Sequence, residues 1–178
     1  MPRFVRSLLF ALLAALHFTA AFAQAQRSEL QDIERLHRGG QAEQALQRLE
    51  RALSSDPRHP ELRFLKGVLL AEAGRNAEAA EIYLRLTQEY PELPEPYNNL
   101  AVLYAAEGQL DKARDALETA LRNDPRYTTA HENLGDVYLR LAVRAYERAG
   151  QSTPQLQRKL QLARQWLGQL LPHPSSPR

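Results

Sequence analysis

The sequence contains no cysteine, and several patterns that carry chemistry are missing as well. Without cysteine the chain forms no disulfide bond, has no thiol nucleophile and lacks the residue to which a lipoprotein attaches its lipid. No glycine-rich phosphate loop and no Gly-x-Ser-x-Gly turn occurs, and His131-Glu132 is not followed by the second histidine of a zinc protease. The sequence therefore predicts a protein that is not an enzyme, with no catalytic residue, no metal site and no cofactor.

A long run suited to spanning a membrane is also missing. The longest apolar segment covers about 17 residues up to Ala23, at the lower edge of a spanning length. Arg3 and Arg6 precede it, and small residues alternate up to Ala25, as in a secretory signal peptide. We expect residues 1–25 to be removed after Ala23 or Ala25, leaving a periplasmic protein with no stable membrane insertion. An uncleaved membrane anchor is the alternative.

The chain lacks a surplus of charge of either sign. It carries 23 basic and 21 acidic residues, and loss of the leader with its two arginines leaves 21 of each. This balance excludes the basic footprint of a nucleic-acid-binding domain. The charge is uneven along the chain, however, because no acidic residue follows Glu147. Five basic residues do follow it: Arg148, Arg158, Lys159, Arg164 and Arg178.

What the sequence does contain is an internal repeat. Three residue types recur every 34 positions: Pro57, Pro91 and Pro125; Gly40, Gly74 and Gly108; Ala45, Ala79 and Ala113. Around each glycine, apolar residues recur at helical spacing on both sides, so each unit is predicted to be a pair of helices. The proline ends the second helix. The units are 26–59, 60–93, 94–127 and an altered one at 128–150.

The third unit resembles the tetratricopeptide repeat family. The residues that carry the resemblance are Leu100-Ala101, Tyr104, Gly108, Ala113, Ala120 and Pro125. It covers about residues 26–150 and implies an all-α fold, a right-handed superhelical stack of helical hairpins whose first helices line a concave groove. Independently of the family, one hairpin cannot bury its apolar face alone, so neighbouring hairpins must stack.

The altered unit departs from the family pattern after Tyr138. The turn glycine is missing, and neither glycine nor proline occurs between Gly135 and Gly150. Because nothing in this stretch ends a helix, we predict one long helix over 129–149 in place of a hairpin.

A further helix is predicted after Gly150. Ser152 or Thr153 can cap it, and Pro154 suits its first position. Apolar residues follow along one face: Leu156, Leu160, Ala163, Leu167 and Leu170. Because stacked repeats leave an apolar end uncovered, we assign 151–171 as a capping helix and 172–178 as a disordered tail. The alternative is a basic amphipathic helix that binds an acidic partner or a membrane surface.

The groove is the predicted binding site. The first-helix residues that face away from the second helix are Phe64, Val68, Asn98, Val102, Ala105, Glu132, Asp136 and Leu139. Asn99 and Asn133 occupy matching places, and either bond a peptide backbone or bond within their own repeat. Some family members grip a terminal carboxylate with lysines and arginines here, but this chain has Phe64, Asn98 and Glu132 there. A peptide or helix with apolar and basic side chains suits the surface better.

These patterns lead to two hypotheses. The first is a non-catalytic protein–protein interaction scaffold or adaptor in the bacterial periplasm, which binds a peptide or helix of an envelope protein in the groove. The second is a structural subunit of an envelope complex, docked through its ends or its basic C-terminal helix. In both, the partner is a protein and not a nucleic acid.

Overall fold

A computed structural model describes residues 28–150 and 153–170 of the chain. In these ranges the protein is all-helical and contains no strand. The helices are α1 (28–38), α2 (Ala42–Ser55), α3 (Pro60–Glu72), α4 (Asn76–Glu89), α5 (Pro94–Ala106), α6 (Leu110–Asn123), α7 (Thr128–Arg148) and α8 (Pro154–Leu170). The predicted signal peptide and the predicted tail lie outside the described residues. None of the described helices is long and apolar enough to cross a membrane.

The helices follow one another at the interval that the repeat predicts. Gly40, Gly74 and Gly108 have φ values of 73°, 75° and 74°, a left-handed backbone that glycine adopts without strain. At Gly108 this turn closes the end of α5, since the amide of Gln109 donates to the carbonyl of Tyr104 at 2.8 Å. The repeated glycine is therefore explained by the backbone that each turn requires.

The chain divides into two compact units, one up to Gly74 and one from Arg75 onward. In the described part of the first unit, α1, α2 and α3 surround one apolar cluster: Ile33, Ala45, Leu49, Leu62, Leu65 and Leu69. An ion pair reinforces it, since the guanidinium of Arg48 on α2 lies 2.7 Å from carboxylate oxygens of both Glu29 and Asp32 on α1. A basic residue of α2 thus holds α1 in place.

The second unit is a series of helices packed each on the next. Helix α5 packs against α4 and α6, and α7 packs against α6 and also touches α5. Its main cluster is formed by small and medium side chains: Ala101, Ala113, Leu117, Ala120, Ala130 and Val137. Ala101 and Ala113 are fully buried, and their small side chains allow the packed helices to approach closely.

Helix α7 is a single helix of 21 residues, so the predicted long helix is confirmed. Ala142 stands 34 positions after Gly108, and a residue with a Cβ resists the left-handed turn, so the helix continues.

As a result of this length, α7 has two apolar seams. One packs on the α5–α6 cluster through Leu134 and Val137. The other packs on α8 and contains Leu139, Val143 and Tyr146.

Helix α8 begins as predicted, with Thr153 Oγ1 accepting a hydrogen bond from the amide of Leu156 at 3.2 Å. Leu160 and Ala163 are buried against the second seam of α7, and Leu167 packs beside them. They form a cluster separate from that of α5–α6, because α7 extends past the last hairpin. Helix α8 thus packs on the C-terminal half of α7, which belongs to the altered unit 128–150 at the end of the repeats. Its role as a cap stays a prediction.

Candidate peptide-binding groove

A groove lies in the second unit between α5 and α7 and contains a cavity of about 200 Å³. Its lining is Ala101, Val102, Ala105, Ala106, Leu117, Asn133, Asp136, Val137 and Arg140. The alanines of α5 leave the space open, and Leu117 and Val137 make the floor apolar. Val102 is 47% exposed at the edge, an unusual degree of exposure for a large aliphatic side chain in a packed helix. The groove can therefore accept an apolar side chain of a partner.

Of the two charged residues that line the cavity, Arg140 has a hydrogen-bond partner and Asp136 has none among the described residues. Arg140 Nη1 donates to the carbonyl of Ala105 at 3.1 Å, so the guanidinium satisfies a carbonyl in the last turn of α5 and complements the negative end of that helix. Asp136 is half-buried and makes no hydrogen bond or ion pair with any residue that the structure describes. The unpaired charge in the groove is therefore the negative charge of Asp136, which favours a cationic group on a ligand.

A chain of amide hydrogen bonds crosses three helices beside the groove. Asn133 Nδ2 on α7 donates to Asn98 Oδ1 on α5 at 2.8 Å. Asn98 Nδ2 donates to Asn99 Oδ1 at 3.2 Å, and Asn99 Nδ2 donates to the hydroxyl of Tyr83 on α4 at 3.1 Å. A buried amide must find partners, and here the adjacent repeats supply them.

This chain of bonds corrects part of the predicted site. Asn98 is only 3% exposed, so it does not present its amide to the groove as we expected. Asn133 bonds to Asn98 of the preceding repeat, whereas Asn99 bonds both to Asn98 of its own repeat, as one of the two alternatives predicted, and to Tyr83 of the preceding repeat. The three amides lie together because repeats 34 residues apart place matching faces side by side.

The remaining predicted residues fall in three places. Val102, Ala105 and Asp136 line the cavity, and Glu132 is exposed on α7. Leu139 does not face the groove, because it packs on the cluster that α8 closes. The two predicted residues of the first unit, Phe64 and Val68, are half-buried on α3.

Two prominent side chains escaped the sequence analysis. Arg140 follows Asp136 by four residues, and this helical spacing could have placed it on the same face. Trp166 is 59% exposed on α8, away from the stripe that the sequence analysis traced. The sequence could have indicated this residue, because Trp166 is the only tryptophan in the chain and follows Leu162 by four residues, a spacing that places both on one side of a helix.

Shifted pKa values occur where neighbouring helices pair. A hydrogen bond from Arg144 on α7 holds the pKa of the Asp111 carboxyl on α6 below its usual range. Burial raises the pKa of the Tyr127 phenol, and the charge of Glu95 adds to the effect. The pair of Asp111 and Arg144 joins α6 to α7, so we assign it a structural role. Among the residues described, no cluster of three or more metal-binding side chains occurs.

Sequence comparison identifies the family. Two sequence profiles, both described as tetratricopeptide repeat, match residues 35–94 and 70–134. Together they span more than half of the chain. The chain belongs to the tetratricopeptide repeat family.

Solved structures share the fold. A thermophilic tetratricopeptide repeat protein of Thermus thermophilus is 25% identical with a TM-score of 0.61, covering 80% of this chain and 83% of its own. The first such domain of Spaghetti (RPAP3), bound to the HSP90 peptide SRMEEVD, is 17% identical with a TM-score of 0.61, covering 67% and 94%. The Sgt2 domain of Aspergillus fumigatus is 14% identical with a TM-score of 0.63, covering 72% and 85%. The fold is an all-α tetratricopeptide repeat solenoid.

A curated relative is similar over a shorter stretch. The TPR repeat-containing thioredoxin TTL4 of Arabidopsis thaliana is 39% identical over 75 residues, which are 42% of this chain but 11% of that protein. The chain therefore spans about a tenth of that relative. The family and its fold neighbours, one of them with a bound peptide, support the class of a protein-interaction scaffold.

Proposed function

We propose that this chain is a non-catalytic scaffold of the bacterial periplasm that binds a segment of an envelope protein in the α5–α7 groove. The observation that carries the proposal is the pairing of an apolar cavity, edged by exposed Val102, with the unpaired carboxylate of Asp136. A segment with an apolar side chain next to a lysine or arginine satisfies both. The apolar side chain fills the cavity, and the cation pairs with Asp136.

The charge of the groove argues against an acidic ligand. The peptide bound by the RPAP3 domain, SRMEEVD, contains three acidic residues. In this chain Asp136 and Glu132 stand on α7 beside the groove, and both would repel such a peptide. Arg140 does not offset them, because its guanidinium is engaged with the carbonyl of Ala105. The ligand is therefore basic and apolar.

The periplasmic location rests on the leader sequence. The basic start, the apolar run and the small residues before Gln24 and Gln26 support export followed by cleavage. N-terminal sequencing of the protein from a bacterial host tests this step. A chain that begins at Gln24 or Gln26 in the periplasmic fraction is the expected result. Intact Met1 in the membrane fraction would contradict it.

The groove is tested with two matched peptides that differ only in charge, one alternating leucine with lysine and one alternating leucine with glutamate. Fluorescence anisotropy should show that the protein prefers the lysine peptide. Asp136→Lys should weaken that binding by about fivefold or more, which corresponds to the loss of one partly exposed ion pair. The control is Glu92→Lys, an equal change of charge in the exposed loop between α4 and α5. Equal losses in both variants would show that net charge, and not the groove, selects the ligand.

A further inference from the structure

Helix α8 has an exposed face that the packing on α7 leaves uncovered. Leu160 and Ala163 are buried in the second seam of α7, whereas Leu162 and Trp166 are 50% and 59% exposed. Leu162 and Trp166 stand four residues apart, so their side chains are neighbours on the helix. Lys159 lies three residues before Leu162, and Arg158 lies four residues before it. This spacing places both cations on the same side of α8 as Leu162 and Trp166. We call these four residues, Arg158, Lys159, Leu162 and Trp166, the tryptophan face.

The charge of this face is positive and unneutralised. Helix α8 contains no acidic residue. Its third basic residue, Arg164, pairs with Glu147 Oε1 of α7 at 2.6 Å. Unlike Arg164, Arg158 and Lys159 form no ion pair with any residue in the described ranges. An exposed indole and an exposed leucine thus stand beside two cations that have no counter-charge.

Three kinds of occupant compete for such a face. A second copy, docked through the same face, would bring four cations together without a carboxylate, which disfavours that contact. A stable protein interface buries on the order of 1,200 Å² or more around an apolar centre, and two apolar side chains do not supply it. An anionic lipid surface requires only shallow insertion of apolar side chains and attraction of nearby cations. Tryptophan is the side chain that prefers the headgroup level.

We propose that the tryptophan face docks α8 on an anionic phospholipid surface. The docking needs no unfolding, because Leu160 and Ala163 stay buried on α7 while the exposed tryptophan face contacts lipid. The proposal concerns association with the surface, and it does not depend on the groove between α5 and α7. A scaffold held in this way would present its groove close to a membrane.

Trp166 provides the test, because it is the only tryptophan in the chain and its emission reports the environment of α8 alone. The intact protein is mixed with vesicles of phosphatidylcholine, with or without about one third phosphatidylglycerol. We expect a blue shift of Trp166 emission, and quenching by brominated lipid, only with the anionic vesicles. High salt should abolish both, since it screens the attraction.

Two variants of equal charge separate the face from net charge. Arg158→Gln with Lys159→Gln should weaken binding to anionic vesicles by about 30-fold, as expected for two cations near such a surface. The control, Arg38→Gln with Arg51→Gln, removes two exposed cations of the first unit and should bind like the unaltered protein. Emission that is unchanged by anionic vesicles would overturn the proposal. So would a shift that follows protein concentration alone, which indicates self-association, or a shift caused by polyglutamate but not by vesicles, which indicates an acidic protein partner.

Discussion

Asn133 Nδ2 donates a hydrogen bond to Asn98 Oδ1 at 2.8 Å, across 35 positions of the sequence. The bond joins α7 to α5, the two helices that form the walls of the groove. Because Asn98 is almost fully buried, neither amide exchanges this bond freely for water. The spacing of the two walls is therefore determined by a polar contact between repeats as well as by apolar packing.

Replacement of this buried amide should destabilise the protein. Asn98→Ala removes the acceptor of Asn133 Nδ2 and the donor to Asn99 Oδ1, and an unsatisfied buried polar group costs about 1–3 kcal/mol. We expect a lower melting temperature by circular dichroism. Asn76→Ala, at an exposed position of α4, is the control and should change it little. Equal melting temperatures for the two variants would show that the amide chain contributes nothing.

Two alanines test which surfaces are packed. Ala113 is fully buried between helices, whereas Ala105 lines the groove cavity. Ala113→Leu should destabilise by about 1–3 kcal/mol, because an overpacked site forces neighbouring side chains apart. Ala105→Leu should be tolerated, since the new side chain enters the cavity, but it should block the lysine peptide. Chemical denaturation of both variants, with peptide binding as second readout, checks the assignment. A tolerated Ala113→Leu would contradict it.

Two leucines on α8 test how that helix packs. Leu160 is 6% exposed and Leu162 is 50% exposed. Leu160→Ala should cost about 2–5 kcal/mol if α8 and α7 unfold together, whereas Leu162→Ala should change stability by less than about 0.5 kcal/mol. Urea denaturation measures both. If Leu162→Ala is the more damaging change, α8 packs through the opposite face.

The pair of Asp111 and Arg144, 2.7 Å apart, predicts a pH dependence of stability. Arg144 lowers the pKa of Asp111 in the folded protein, so the pair stabilises the fold above the unfolded pKa of about 3.9. This contribution is lost as the pH falls through the lowered folded value. Asp111→Asn should therefore reduce the melting temperature at pH 7 and reduce it less near pH 2. Glu92→Gln is the control without an ion pair in the described residues. An equal reduction by Asp111→Asn at both pH values would exclude the pair as its cause.

Much of the fold follows directly from the sequence. The turn at Gly108 was predictable because its backbone requires a glycine, and the long helix was predictable because Ala142 replaces that glycine. The start of α8 followed from Thr153 and Pro154 in the same way. Each of these features depends on the backbone preference or capping ability of one or two residues, which can be read from the sequence.

The details of the site did not follow in this way. Asn98 and Val102 stand on one face at helical spacing, yet one is buried and the other is 47% exposed. The difference arises from Asn133, which lies a full repeat away and satisfies the Asn98 amide. Leu139 was likewise misplaced, because its packing depends on where α8 returns. Contacts between repeats determine these positions, and periodicity within one helix does not report them.

The central claim, that the groove between α5 and α7 holds the partner, is tested most directly by site-specific photocrosslinking in the periplasm. A photoreactive amino acid replaces Val102 in one protein and Leu84 on α4 in another, two aliphatic side chains with matched exposures of 47% and 44%. We predict one discrete crosslinked product with an envelope protein at position 102, absent at position 84 and lost when Asp136→Lys is added. Equal products at the two positions, or a product at 102 that survives Asp136→Lys unchanged, would contradict the account.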